Sequence, residues 1–168
     1  RFGVMQRPLT ECGLYAKSKG VTHAIETGPE VATTLLHFLE GTKGGVGVNL
    51  DPANFVMVSG QDPADAVDLL GKYIVHTHLK DGKKLNSDMT PEQIYHGFAV
   101  GGVEALNACK SFIELPIGEG TVPWDRYLAA LRRVGYNGYL TIEREAGKQP
   151  LEDIRGAVGF IRGKVNFD

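Results

Sequence analysis

The chain has 168 residues, 42% of them hydrophobic and 23% charged, the composition of one globular domain with room for a sizeable core. A formal net charge of -2 and a pI near 6.2 remove the electrostatic case for nucleic-acid or anionic-membrane partners, and no apolar run reaches the roughly 18 to 20 residues of a membrane span. Cys12 and Cys109 have no metal-type spacing and are too few for a disulfide framework, so reduced thiols and a cytoplasmic location are expected.

The opening stretch, RFGVMQRPLT, lacks both the apolar middle of a signal peptide and an initiator Met, so a chain that starts inside a longer gene product is expected. LTECGLYAKSKG then carries Leu9, Cys12, Leu14, Tyr15 and Ala16 as a helical stripe, closed by Gly20. VTHAIET reads as a strand ending at Glu26, and EVATTLLHFLEG as a helix with acid at its start and Gly41 beyond its end. The same order repeats in VGVNLD, a strand ending at Asp51, and DPADAVDLLGKY, a helix opened by an Asp cap and Pro63. IVHTHLKD is the third strand. About forty residues, Gly82 to Val122, separate it from the next helix, PWDRYLAALRRVG, and TPEQIYHGFA predicts a short helix inside that excursion. YLTIERE is the fourth strand, and a last helix runs from Leu151 to Lys164. Strands alternating with helices, without hairpin signals, make this an α/β chain with a parallel sheet.

Because strand side chains alternate, faces follow from counting back from each strand end. Val46, Val48 and Leu50 oppose Gly47, Asn49 and Asp51; Val75, Thr77 and Leu79 oppose Ile74, His76, His78 and Lys80; Leu140 and Ile142 oppose Tyr139, Thr141 and Glu143; and Glu26 falls with Ala24 and Thr22. The apolar set should meet the helices. The other face then carries a possible metal ligand near the C-terminal end of every strand: Glu26, Asp51, a histidine of the His76/His78 pair, and Glu143. In parallel α/β folds those ends are where active sites assemble. Three carboxylates and one imidazole suit Mn²⁺, Mg²⁺ or Co²⁺ better than closed structural Zn²⁺, with Zn²⁺ still open. Two glutamates beside such a cation are suited to moving a proton on a carbon acid, which is isomerase or epimerase chemistry.

Taken together and in order, AIETGPE, VNLDPAN, HTHLKD, IGEGTVPW and GYNGYLTIE resemble the C-terminal half of the xylose isomerase-like TIM-barrel superfamily of sugar and sugar-phosphate isomerases and epimerases. The resemblance implies a TIM (β/α)8 barrel of which residues 1–168, as one domain, cover strands 5 to 8 with their helices. It implies Glu26, Asp51, His78 and Glu143 as metal ligands, with Glu26 and Glu143 also moving the proton of a metal-bound enediolate. His78 matches the ligand because it directly precedes Leu-x-Asp; His76, one layer deeper, is expected to be structural, with a lesser part in substrate binding. Lys80 and Asn54 are the other candidate substrate contacts. Asn54 stands where many relatives carry a histidine, which disfavours a multi-zinc, DNA-repair type of site.

A barrel needs eight strands and typically about 250 residues, so four strands lead to the expectation of a fragment, or of half-barrels that self-associate through exposed edges. The alternatives are a metal-dependent dehydratase of an inosose or dehydroshikimate-like ketone, and a non-catalytic half-barrel binding or assembly module. Glu119 is read as a loop charge, Trp124 as packing, and Arg144 with Glu145 as pocket rim or a surface ion pair.

Overall fold

The computed structural model describes residues 2–85, 88–108 and 110–165; Cys109 lies outside the described residues, and Cys12 is an exposed free thiol. Helix α1 (Phe2–Ser18) leads into β1 (His23–Glu26), α2 (Ala32–Glu40) and β2 (Val46–Leu50). A single turn, α3 (Pro52–Asn54), continues as a π-helical turn (Phe55–Ser59) before α4 (Pro63–Leu70) and β3 (Ile74–Leu79). Then come β4 (Asp81–Lys84), α5 (Pro91–Ala108), β5 (Phe112–Leu115), α6 (Trp124–Arg133), β6 (Leu140–Ile142) and α7 (Pro150–Arg162). Among the described residues no helix is long and apolar enough to cross a membrane.

Strands β1, β2, β3 and β6 form one parallel sheet in that order. The core lies between its outer face and the helices: Val46, Val48, Leu50, Thr77 and Leu79 are buried there with Leu39, Leu70 and Tyr127. Thr77 is the polar exception on this face, and it is satisfied, because its hydroxyl donates to Leu50 O at 2.8 Å and bonds the buried Tyr127 hydroxyl. Local chemistry sets the helix starts as the sequence requires: Asp62 accepts from Ala64 N at 2.8 Å with Pro63 in the first turn of α4. In α6, Trp124, Tyr127, Leu128 and Leu131 are buried while Arg132 and Arg133 occupy the last turn, where the helix dipole favours cations.

Two expectations about faces are corrected. Leu14 and Tyr15 of α1 are exposed; of the expected stripe Leu9 packs against the core, and the helix also approaches through Gly13, where an added Cβ would stand 1.8 Å from Gly45 O. In β3 the alternation slips at its start. Val48 pairs with Ile74 but Asn49 with His76, a bulge that leaves Val75 extra and puts Ile74, not Val75, on the helix side. Val75 is 43% exposed and stands over Gly47, whose added Cβ would lie 2.8 Å from it.

The excursion after β3 contains secondary structure that the sequence pattern did not announce. Strands β4 and β5 pair antiparallel, and α5 is longer than the expected short helix, broken at Gly102, where φ is 67°. One carboxylate ties this region down. Asp81 is 1% exposed and accepts from Gly82 N at 2.8 Å, Gly118 N at 2.9 Å, Val122 N at 3.2 Å and Trp124 Nε1 at 2.9 Å. Trp124 is thus the expected packing residue with its indole N–H spent on Asp81, and Gly120 is required because a Cβ there would meet Asp81 Oδ1 at 2.0 Å.

Asp81→Ala strips the acceptor from these four N–H groups. Each buried donor left unsatisfied costs roughly 1–3 kcal/mol, so urea unfolding should show a loss of about 3 kcal/mol or more; a loss below about 1 kcal/mol would mean the N–H groups find other acceptors.

Candidate metal centre

The parallel register delivers four side chains to one place. Glu26 ends β1 and Asp51 directly follows β2. His78 pairs with Thr141, so Glu143, two residues on and tied to β3 by Glu143 N donating to Leu79 O at 3.2 Å, projects from the same face. Ligand atoms of Glu26, Asp51, His78 and Glu143 all lie within 4.8 Å of one another. His78 Nδ1 is the hub, 3.3 Å from Glu143 Oε2, 3.4 Å from Asp51 Oδ2 and 3.6 Å from Glu26 Oε1.

Asp51 divides its oxygens. Oδ1 caps α3, accepting from Ala53 N at 2.7 Å and Asn54 N at 3.2 Å, while Oδ2 faces the cluster; the residue is fully buried. Thr27 locks its backbone, accepting from Asp51 N at 2.9 Å. The Asp51-Pro52 sequence therefore serves both the helix start and the site.

The crowding shifts protonation. The His78 imidazole, 3.6 Å away, holds the Glu26 carboxyl below its ordinary value. Asp51, and then Glu26, push the His78 imidazole up to about 10. Burial opposes the charge on Lys80, but Glu143 and Glu145 outweigh it and hold the ammonium above its ordinary value. Lys80 is 4% exposed; its Nζ donates to Glu143 Oε2 at 2.8 Å and to Glu145, and lies 4.0 Å from Asp51 Oδ2.

A divalent cation fits this donor set. Three carboxylate oxygens converge on one imidazole nitrogen, and among the described residues their negative charge is offset by a ring proton and one lysine, so a hard dication in the ring proton's place would satisfy the same groups.

The remaining candidates divide. His76 shares the inner face below His78, its ring edge-on at 5.9 Å between centroids. Asn54 spans two strand ends, donating through Nδ2 to Thr27 O at 2.8 Å and Glu26 Oε1 at 3.4 Å. Arg144 is not in a surface pair: its side chain is 8% exposed and donates to Glu114 at 2.6 Å and Asp153 at 2.8 Å. Glu145 is exposed yet bonded to Lys80, and Glu119 is an exposed loop residue. Glu114, 3.9 Å from Lys80 Nζ, was missed in sequence, because FIEL gives no sign that its strand packs beside the site. Asn49 was placed on the inner face but given no role; its Nδ2 lies 3.0 Å from His78 Nε2.

Comparison with known proteins places this geometry in context. A family model described as xylose isomerase-like TIM barrel matches residues 3–164. No functionally curated protein matches the sequence. Among solved structures, a xylose isomerase domain protein from Planctomyces limnophilus is 27% identical with a TM-score of 0.73, covering 96% of this chain and 51% of its own. A xylose isomerase-like TIM-barrel protein from Mycobacterium smegmatis, solved in complex with magnesium, is 17% identical with a TM-score of 0.68, over 95% of this chain and 49% of its own. D-allulose 3-epimerase from Methylomonas sp. is 17% identical with a TM-score of 0.63, over 98% of this chain and 54% of its own. The chain thus spans about half the length of these structures.

In the metal-free protein the His78 ring protons should titrate near pH 10, not near 6.5. Because the folded value is raised, the stabilisation is full below about pH 6.5 and lost as pH rises through about 10. The stability deficit of His78→Asn should therefore shrink across that window; an NMR midpoint near 6.5 for His78 would contradict this coupling.

Proposed function

Because the chain belongs to the xylose isomerase-like TIM-barrel family, we propose that it carries the divalent-metal centre and both proton-transfer carboxylates of a sugar or sugar-phosphate isomerase or epimerase. The observation that carries this reading is the convergence of the Glu26, Asp51, His78 and Glu143 ligand atoms within 4.8 Å at the C-terminal ends of four parallel strands. The proposed ion is Mn²⁺, with Mg²⁺ or Co²⁺ as close substitutes for an oxygen-rich set. When bound, it supplies Lewis acidity toward the oxygens of a ketose.

The chain's own residues then divide the work. Glu26 and Glu143 enter from β1 and β6, the two outer strands of the sheet among the described residues, and so flank a substrate lying over its C-terminal end. One carboxylate takes the proton from the carbon beside the carbonyl; return of a proton to the opposite side by the other inverts that carbon. Lys80, bonded to Glu143, orients that carboxylate and offers N–H donors to a substrate oxygen. Asn54 steadies Glu26 and faces the same mouth, and His76 forms part of the floor. Residues 1–168 are read as the C-terminal half of a barrel, whose outer strands β1 and β6 pair with further strands, from the same polypeptide or from a second copy.

Protein loaded with Mn²⁺ and given a panel of ketoses and ketose phosphates in deuterated water should exchange a C–H proton next to the carbonyl. Glu26→Gln or Glu143→Gln should slow that exchange by roughly 10²- to 10⁴-fold. Metal without exchange would point to the binding-module alternative, and a dehydrated product to a dehydratase. Stoichiometric metal should be lost in Glu26→Ala and His78→Ala; retention in both would remove the centre.

A further inference from the structure

Asn49 lies on the inner face of β2, paired with Glu26 of β1 on one side and with His76 of β3 on the other. Its side-chain nitrogen is 3.0 Å from His78 Nε2, and its Oδ1 is buried without a hydrogen-bond partner. The two amide atoms exchange places by a half turn of the side chain, so the hydrogen-bond network decides which faces the ring. With Nδ2 toward the ring, Oδ1 is left buried and unpartnered, and the protonation of His78 Nε2 is what discriminates between the two orientations. The Nδ1 edge of His78 faces the three carboxylates at 3.3 to 3.6 Å, which makes Nδ1 the nitrogen that points to the ion. A neutral imidazole that ligates through Nδ1 keeps its proton on Nε2, and that N–H needs an acceptor.

We infer that Asn49 is the positioning residue of the centre: its side-chain carbonyl accepts the Nε2–H of His78 and so fixes both the ring orientation and the tautomer that leaves Nδ1 free to ligate. This rests on the proposed metal centre. His76 cannot take the role, since it meets the His78 ring edge-on at 5.9 Å between centroids, while Asn49 holds the Nε2 edge. The sequence reason is the pleat: Asn49 and Asp51 share a face, so β2 supplies a ligand and, two residues earlier, the partner of a ligand on the next strand.

The test titrates Mn²⁺ alone into the full chain and its variants by calorimetry. Asn49→Leu, similar in size but without an acceptor, should bind Mn²⁺ about 10- to 100-fold more weakly with unchanged circular dichroism. Asn49→Asp, which keeps an acceptor, should restore binding to within about threefold. In the Zn²⁺-loaded, diamagnetic protein, long-range ¹H–¹⁵N spectra should show His78 Nε2 bearing the proton. Affinity of folded Asn49→Leu equal to the unaltered chain, or Asn49→Asp as weak as Asn49→Leu, overturns the inference and leaves the centre standing. Absence of Mn²⁺ binding to the unaltered chain overturns both. Should Asn49→Leu fail to fold, a loaded His78 without a proton on Nε2 still overturns the assignment.

Discussion

Three carboxylates from three strands lean on one imidazole, and the rest of the site is arranged around that concentration of negative charge. Two like charges about 4 Å apart repel by about 4 kcal/mol at an effective dielectric near 20, so Glu26, Asp51 and Glu143 are tolerated together only beside cations. In the metal-free chain the cations are the His78 imidazolium and Lys80, both on β3 or at its end, in the middle of the charge they neutralise. A parallel sheet makes this meeting unavoidable, because all its strands end on the same side. On the proposed reading, the site converts that constraint into a receptor for a dication, which would replace a proton on His78.

Holding such a cluster still requires further bonds behind it. Asp51 is anchored by backbone N–H groups of α3 and by Thr27, so its outward oxygen has little freedom. Glu114, from the excursion after β3, bridges Lys80 to Arg144, and Arg144 is pinned in turn to Asp153 at the start of α7. Asp81, next to Lys80, ties the β4–β5 pair to the loop before α6. Through Glu114 the long connection is part of the ion-pair network, and through Asp81 it is anchored beside the strand that carries His78.

Much of this was legible in the residues. Strand ends at Glu26, Asp51, His78 and Glu143 could be counted because alternation is a property of the backbone, and the Asp62-Pro63 and Asp51-Pro52 starts follow from capping chemistry. What failed depended on neighbours distant in sequence. The bulge at Val75 swapped the faces of Ile74 and Val75 because register is set by the adjacent strand. The stripe of α1 was misread at Leu14 and Tyr15, since the helix docks through Leu9 and the close approach of Gly13 to Gly45. Arg144 could be read as pocket rim or surface pair, and only β5, which brings Glu114 to 2.6 Å from it, decided its place.

The sequence by itself determined the parallel α/β order, the face that carries the four candidate ligands and the family to which the chain belongs, because each follows from local periodicity, capping and the order of short motifs. Only the tertiary structure decided which histidine edge meets the carboxylates, that Lys80 is buried among acids, and that Asn49 stands at the far side of the His78 ring. Those facts are distances between groups on different strands, fixed by register and packing, and no spacing along one strand encodes them.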